Sequence, residues 1–178
     1  MKIIVASDIH GSNYFTKKFV NVLEKEKPDQ IILLGDLFYH GPRNKLPRDY
    51  EPMKVAENLN NFSDIIKCTK GNCDAEVDEM IADFKFEDKI EMTISDKKFL
   101  FVHGHKLDFE KLPVGFDFIF GGHTHVSSIK KIGKTTYVNP GSLSIPKENT
   151  KSSYAVIDDK TISIYDIKGA LVGFCNIN

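Results

Sequence analysis

The chain has 178 residues, 41% of them hydrophobic and 28% charged, enough for one compact unit spanning 1–178 on a scale of roughly 150 residues per domain. Its 24 basic side chains are balanced by 25 acidic ones, a formal charge of -1, so no overall field draws it to duplex nucleic acid or to an anionic membrane. No apolar run nears the roughly 18 residues of a membrane span. The cysteines Cys68, Cys73 and Cys175 show no C-x-x-C spacing, and the opening MKIIVASDIH lacks a leader pattern, which leads to the expectation of a cytoplasmic protein with reduced thiols.

Residues 2–6 (KIIVA) form a short apolar, β-branched run that reads as a strand, and 13–27 carries Phe15, Phe19, Val22 and Leu23 at helical spacing before Pro28. A second buried strand, 31–34, ends at Gly35-Asp36; a Pro-rich loop, 40–52, leads into a helix over about 53–60; a third strand, 65–68, stops at Gly71-Asn72. Three strand-to-helix steps in a row predict a largely parallel sheet with ligands gathered beyond the carboxyl ends of its strands. The second half differs. Short runs at 90–94, 99–102, 116–120, 135–138, 154–157, 161–165 and 170–176 are separated by turn signals such as Gly133-Lys134 and Lys168-Gly169, so it reads as β-rich with hairpins. Two facing sheets with helices outside would bury both sets.

Five of the six histidines fall in three triplets: Asp8-Ile9-His10, His103-Gly104-His105 and His123-Thr124-His125. Chance predicts roughly 0.2 H-x-H triplets in such a chain, so two of them, each directly after an apolar strand, ask for a chemical reason. Residues i and i+2 leaving a strand point to the same side, which lets each triplet aim two side chains at one point. The intervening strands end in Gly35-Asp36 and Gly71-Asn72. Taken singly, each of these is also what an ordinary turn looks like. Together they gather carboxylate, imidazole and amide donors without clustered thiolates, a set suited to borderline or hard divalent ions rather than to a structural thiolate zinc site. The donors exceed what one ion needs and fit a two-metal site with ~3.5–4 Å separation, in which a bridging water becomes hydroxide and attacks a phosphoryl centre.

In order and across nearly the whole chain, Asp8-x-His10, Gly35-Asp36, Gly71-Asn72, His103-Gly104-His105 and Gly122-His123-Thr124-His125 resemble the calcineurin-like metallophosphoesterases. The stretches ASDIHG, LLGDLFYHGPRN, GNCD and VNPGSLSIPK are similar above all to the small bacterial phosphodiesterases of the YfcE type. The resemblance implies an α/β fold, a four-layer αββα sandwich with two facing mixed sheets, and phosphoester hydrolysis with two divalent ions, manganese first among them and zinc, iron, cobalt or nickel as alternatives. Carried over by position, Asp8, His10 and His125 would hold one ion, Asn72, His103 and His123 the other, and Asp36 would bridge them. Asn139-Pro140-Gly141-Ser142 is similar to the family's closing turn near the metals, and equally to a plain hairpin turn.

The candidate catalytic set beside these ligands is Asn72, Cys73, His105, Arg43 and His40. Many relatives have His after the Asn, protonating the leaving oxygen, where this chain has Cys73; a thiol of reference pKa ~8.5 donates a proton to an alkoxide less well than imidazolium. His105 is expected to orient a ligand or touch phosphate. Arg43 and Arg48 are the only arginines and both follow Asp36; a guanidinium there could grip a phosphate oxygen bidentately. The reading is a phosphodiesterase with a small-molecule diester substrate, without membrane or stable nucleic-acid partners, and compatible with a homo-oligomer. The weighed alternatives are a metal-poor scaffold of the retromer-subunit type and a phosphomonoesterase. Against the scaffold, all seven ligand positions keep competent side chains.

Overall fold

The run at the start of the chain forms β1 (Ile3–Ala6), every side chain of which is buried, as a strand covered on both faces requires. A computed structural model describes residues 1–178. Ser12 caps the first helix, α1 (Asn13–Glu26), by accepting from the Phe15 N–H, and Lys27 in the left-handed region closes it just before Pro28. Then come β2 (Gln30–Leu33), α2 (Pro52–Asn60), β3 (Ile66–Thr69) and the two-residue β4 (Phe86–Glu87). Proline begins α2, where its missing N–H would have no helical partner anyway. β1 to β4 pair in parallel, in chain order.

The next five strands build a second sheet: β5 (Ile90–Ile94), β6 (Lys97–Phe101), β7 (Phe118–Phe120), β8 (Ser128–Ile132) and β9 (Thr135–Asn139), in the order β5-β6-β7-β9-β8. The last three, β10 (Ser153–Ile157), β11 (Thr161–Asp166) and β12 (Leu171–Asn176), return to the first sheet and add antiparallel to the free side of β1, giving β12-β11-β10-β1-β2-β3-β4. Both sheets are mixed, the second because β6, β7 and β9 run parallel while β5 and β8 add antiparallel at its edges.

Strand alternation divides the core. Ile4 and Ala6 of β1 pack with Phe19 and Leu23 of α1 and Val55 and Leu59 of α2. Ile3 and Val5 face the other way, onto Phe99, Phe101, Phe118 and Phe120 of the second sheet, whose rings lie 4.7 to 6.3 Å apart between centroids. Truncating any of these rings to alanine is expected to cost about 3–5 kcal/mol, so the seam between the sheets is where the positions of the strand ends are fixed.

The expected facing sheets are present, with helices over the first sheet only. On the outer face of the second, Leu100, Ile119 and Tyr137 are covered by Leu107, Leu112 and Phe116 from the segment between β6 and β7. Gly104, Pro113 and Gly115 in that segment oppose a helix, yet its apolar side chains still do the covering. Two strands had no sequence signal. β4 is too short for a period, and in β8 (SIKKI) Lys130 and Lys131 read simply as a solvated face. They are exposed, but on an edge strand, where lysine discourages pairing with another chain.

Candidate metal centre and substrate cleft

The loops after β1, β2, β3, β6 and β7 carry the candidate donors and meet at one end of the sandwich. Two of the three triplets aim their side chains by a route other than strand alternation. Asp8, His10, Asp36, His123 and His125 all lie at positive φ, between 51 and 63°, a region that costs a non-glycine residue about 1–2 kcal/mol. Five donor residues held in that conformation mark a place where surrounding hydrogen bonds over-determine the backbone.

Three imidazoles are fixed by remote main chain. His10 Nδ1 donates to Tyr39 O at 2.7 Å, His103 Nδ1 to Leu34 O at 2.6 Å and His125 Nδ1 to Ile145 O at 2.9 Å. A carbonyl can only accept, so each Nδ1 carries a proton and each Nε2 is left to face inward. The Nε2 atoms of His10 and His125 are 3.2 Å apart, and Asp8 Oδ1, 3.5 and 3.2 Å from them, is buried without a hydrogen-bond partner. Two inward lone pairs and an orphaned carboxylate oxygen repel one another unless a cation lies among them, so this donor set fits a divalent ion.

A second group of donors adjoins the first. Asp36, His103 and His123 offer ligand atoms within 4.8 Å of one another, and Asn72 Oδ1 is 3.1 Å from His103 Nε2. Asp36 links the groups: its Oδ2 is 3.7 Å from His10 Nε2 and 3.4 Å from His103 Nε2, while Oδ1 accepts from the Cys73 N–H at 2.8 Å. All seven side chains picked out as ligands thus converge.

Charge in the site follows from this crowding. Burial works against ionising Asp8, but His10 and His125, helped by the charge of His103, hold its carboxyl far below the carboxylate range. Burial likewise disfavours charge on His103, yet Asp36 and Asp8 outweigh it and raise that imidazole to about 9. The two carboxylates demand positive charge at this point. Burial and the charge of His103 lower both His105 and His123. Burial and the nearby Asp36 push the Cys73 thiol up to about 12.

The supporting residues were largely invisible in the sequence. Asp74, buried beside the site, accepts from the Asp36, Leu37 and Gly71 N–H groups at 2.8, 2.9 and 2.7 Å, tying two donor loops together. Gly122 packs so tightly that a Cβ there would fall on Ser7 Oγ and Asp8 Oδ2. The Asn139-Pro140-Gly141-Ser142 turn lies under the donors: Ser142 Oγ donates to Asp8 O at 2.6 Å and Asn139 Nδ2 to Gly122 O at 2.8 Å. Between its two readings, the one near the metals describes where it sits.

A cleft of about 800 Å³ opens over the donors, lined by His10, Asp36, Asn72, Cys73 and His123 and, on its outer wall, by Arg43, Asn44 and Lys147. Lys147 was not singled out from the sequence; its loop is drawn to the cleft by bonds to His125, from the Lys147 N–H to His125 O and from His125 Nδ1 to Ile145 O. The remaining candidates lie elsewhere. His40 stands with its ring against Tyr39 and Tyr50, at 4.8 and 5.3 Å, outside the cleft lining. Arg48 stacks on Tyr14. His105 packs against His103 and His123 at 5.3 and 6.0 Å between centroids and lines a separate hollow of about 370 Å³ with Lys70, Lys89 and Lys106.

The family model described as the calcineurin-like phosphoesterase superfamily domain matches residues 1–161. The chain belongs to the calcineurin-like phosphoesterase superfamily. Phosphodiesterase YfcE of Escherichia coli K12 is 38% identical to this family member over 167 residues, 92% of this chain and 91% of the relative. The solved structure of that E. coli phosphoesterase superposes with a TM-score of 0.96 at 34% identity over 100% of both chains. The probable metallophosphoesterase YsnB of Bacillus subtilis is 29% identical over 185 residues, 95% of this chain and 93% of the relative. The zinc-complexed Vps29 of Entamoeba histolytica matches at a TM-score of 0.68 and 20% identity over 100% of both chains, a likeness of fold. Family membership thus carries the calcineurin-like sandwich and a metal-assisted phosphoesterase chemistry for this chain.

Proposed function

We propose that this chain, as a single calcineurin-like domain over 1–178, is a cytoplasmic phosphodiesterase that uses two divalent ions, manganese foremost, to hydrolyse a small phosphodiester. The observation that carries the reading is Asp36 Oδ2 lying between His10 and His103, each of which belongs to a different donor group. Asp8, His10 and His125 would hold one ion, Asn72, His103 and His123 the other, and Asp36 both. When bound, the ions would polarise the phosphoryl group and supply a nucleophile from water at neutral pH. The chain's own residues do the rest. Carbonyls 34, 39 and 145 hold the imidazoles in the ligating tautomer, and Arg43 and Lys147 meet the phosphate oxygens in the cleft. The name of the E. coli relative, a phosphodiesterase, supports the diester class. A scaffold role has less support, because no donor has been lost.

Arg43→Lys keeps the charge but loses the planar fork that matches a phosphate. kcat/KM is expected to fall about tenfold, ~1.4 kcal/mol, with metal content unchanged. A rate equal to wild type would return Arg43 to solvent.

Cys73 bears on the choice of leaving group. A thiol pushed up to about 12 donates poorly to a departing alkoxide, so the rate should depend steeply on the acidity of the leaving alcohol, and monoesters with alkyl leaving groups should be poor substrates. Cys73→His should flatten that dependence and raise monoester hydrolysis. The test of the whole reading is a series of aryl and alkyl phosphodiesters, with matching monoesters, assayed on the manganese-loaded wild type, Cys73→His and Cys73→Ala. Absence of diester hydrolysis throughout would overturn the function; equal slopes in all three proteins would remove the role of Cys73 alone.

A further inference from the structure

Along the exposed side of α1, away from the metal centre, two adjoining hollows of about 420 and 450 Å³ form one groove, sharing Lys18, Ile167 and Lys168. Its cations are Lys18, Lys25, Arg48, Lys151 and Lys168; its acids are Asp166 and Glu26. Both acids are already engaged. Asp166 Oδ1 accepts from the Lys168 and Ala170 N–H groups at 3.0 and 2.9 Å, and its Oδ2 is 3.4 Å from Lys151 Nζ. Glu26 is 3.0 Å from Lys2 Nζ. In a chain of formal charge -1, a hollow where cations outnumber acids and the acids are engaged is a local field of the opposite sign to the whole molecule.

The groove has geometry as well as charge. The Arg48 guanidinium lies 3.7 Å from the centroid of the Tyr14 ring, with Lys18 Nζ 4.7 Å from the same centroid, so the fork is held by stacking while its N–H groups remain available to an oxyanion. Lys18, then Arg48 and Lys168, lower the Tyr14 phenol below its ordinary value, as expected where their charges converge. Phe15 and Ile167 supply an apolar wall at the Arg48 end, and Val22 and Tyr154 at the other. None of the residues that line this groove lines the metal cleft.

We propose that this groove is a second, non-catalytic binding site for an organic phosphate with adjacent phosphoryl groups and an apolar or aromatic body, the chemistry of a nucleoside diphosphate. The phosphates sit among Arg48, Lys18 and Lys168, where like charges are otherwise uncompensated, and the body lies on the apolar wall. Arg48 also joins the groove to the segment that begins at the cleft: its carbonyl accepts from the Ser12 hydroxyl at 2.6 Å, and the same stretch of chain carries Arg43.

The test is calorimetric titration of the metal-loaded chain with α,β-methylene-ADP, which resists hydrolysis, and with methylenediphosphonate, which lacks the body. Wild type is compared with the groove variant Lys18→Ala/Lys168→Ala and the cleft variant Arg43→Ala/Lys147→Ala. The groove variant should bind α,β-methylene-ADP at least about tenfold more weakly while hydrolysing diesters at the wild-type rate, which also reports that it is folded. The cleft variant should keep the binding event, and added salt should weaken it. Affinity lost in the cleft variant and unchanged in the groove variant would overturn the site, as would the absence of binding in wild type. Methylenediphosphonate binding more tightly than the nucleotide analogue would overturn the assignment of an organic body.

Discussion

Asp36→Asn is expected to lower the occupancy of both metal positions together and to reduce turnover by about 10³-fold or more, ~4 kcal/mol of transition-state stabilisation. The expectation rests on one oxygen, Asp36 Oδ2, lying within 3.7 Å of His10 Nε2 and 3.4 Å of His103 Nε2, so that a neutral amide in its place weakens both donor groups at once. His10→Ala should behave differently. It removes a donor from the Asp8, His10 and His125 group and should empty that position first, leaving the Asn72, His103 and His123 side occupied at moderate metal concentration. Metal analysis of the dialysed wild type and both variants, beside their rates, separates these outcomes. No more than one divalent ion in the fully loaded wild type would rule out the two-ion arrangement and leave the phosphodiesterase reading to stand on a single metal.

The second large effect lies one step back from the donors. Asp74→Ala would remove the acceptor for the Asp36, Leu37 and Gly71 N–H groups, and a buried donor left without a partner costs about 1–3 kcal/mol. With water from the adjoining cleft relieving part of that, the expected loss of stability is about 3 kcal/mol. Metal affinity should fall about 10- to 100-fold as the Asp36 loop loosens. Asp74→Asn keeps one carboxyl-like oxygen but presents an N–H₂ to a backbone donor, so it should fall between wild type and Asp74→Ala. Denaturant midpoints of the metal-stripped proteins measure the first effect and metal titrations the second. A midpoint unchanged in Asp74→Ala would mean that the two loops hold their shape without this carboxylate.

Asp74 also marks the boundary between what could be read from the sequence and what could not. In the string Gly71-Asn72-Cys73-Asp74 it looks like one more turn residue, because its three partners are a near neighbour and two residues 37 and 38 positions away, and no local pattern records a distant contact. The seven donor residues were legible because imidazole, carboxylate and amide at strand ends are chemically conspicuous, whatever brings them together. The strands that face the core were legible for a related reason: burial on both faces selects continuous apolar β-branched and aromatic runs such as 3–6 and 118–120.

What the sequence determined by itself, then, was the set of chemical groups and the alternation of the elements that carry them, since both are properties of residue types and their spacing. The tertiary structure alone decided which ring nitrogen of His10, His103 and His125 turns inward, and that His40 is spent between two tyrosines while Lys147 reaches the cleft. It also decided that a loop covers the second sheet, and that Lys18, Arg48 and Lys168, 30 and 120 residues apart along the chain, form one groove. Most of these depend on residues far apart in the chain meeting in space, and the free energy of such a contact belongs to the pair, so neither residue carries a trace of it in its own neighbourhood.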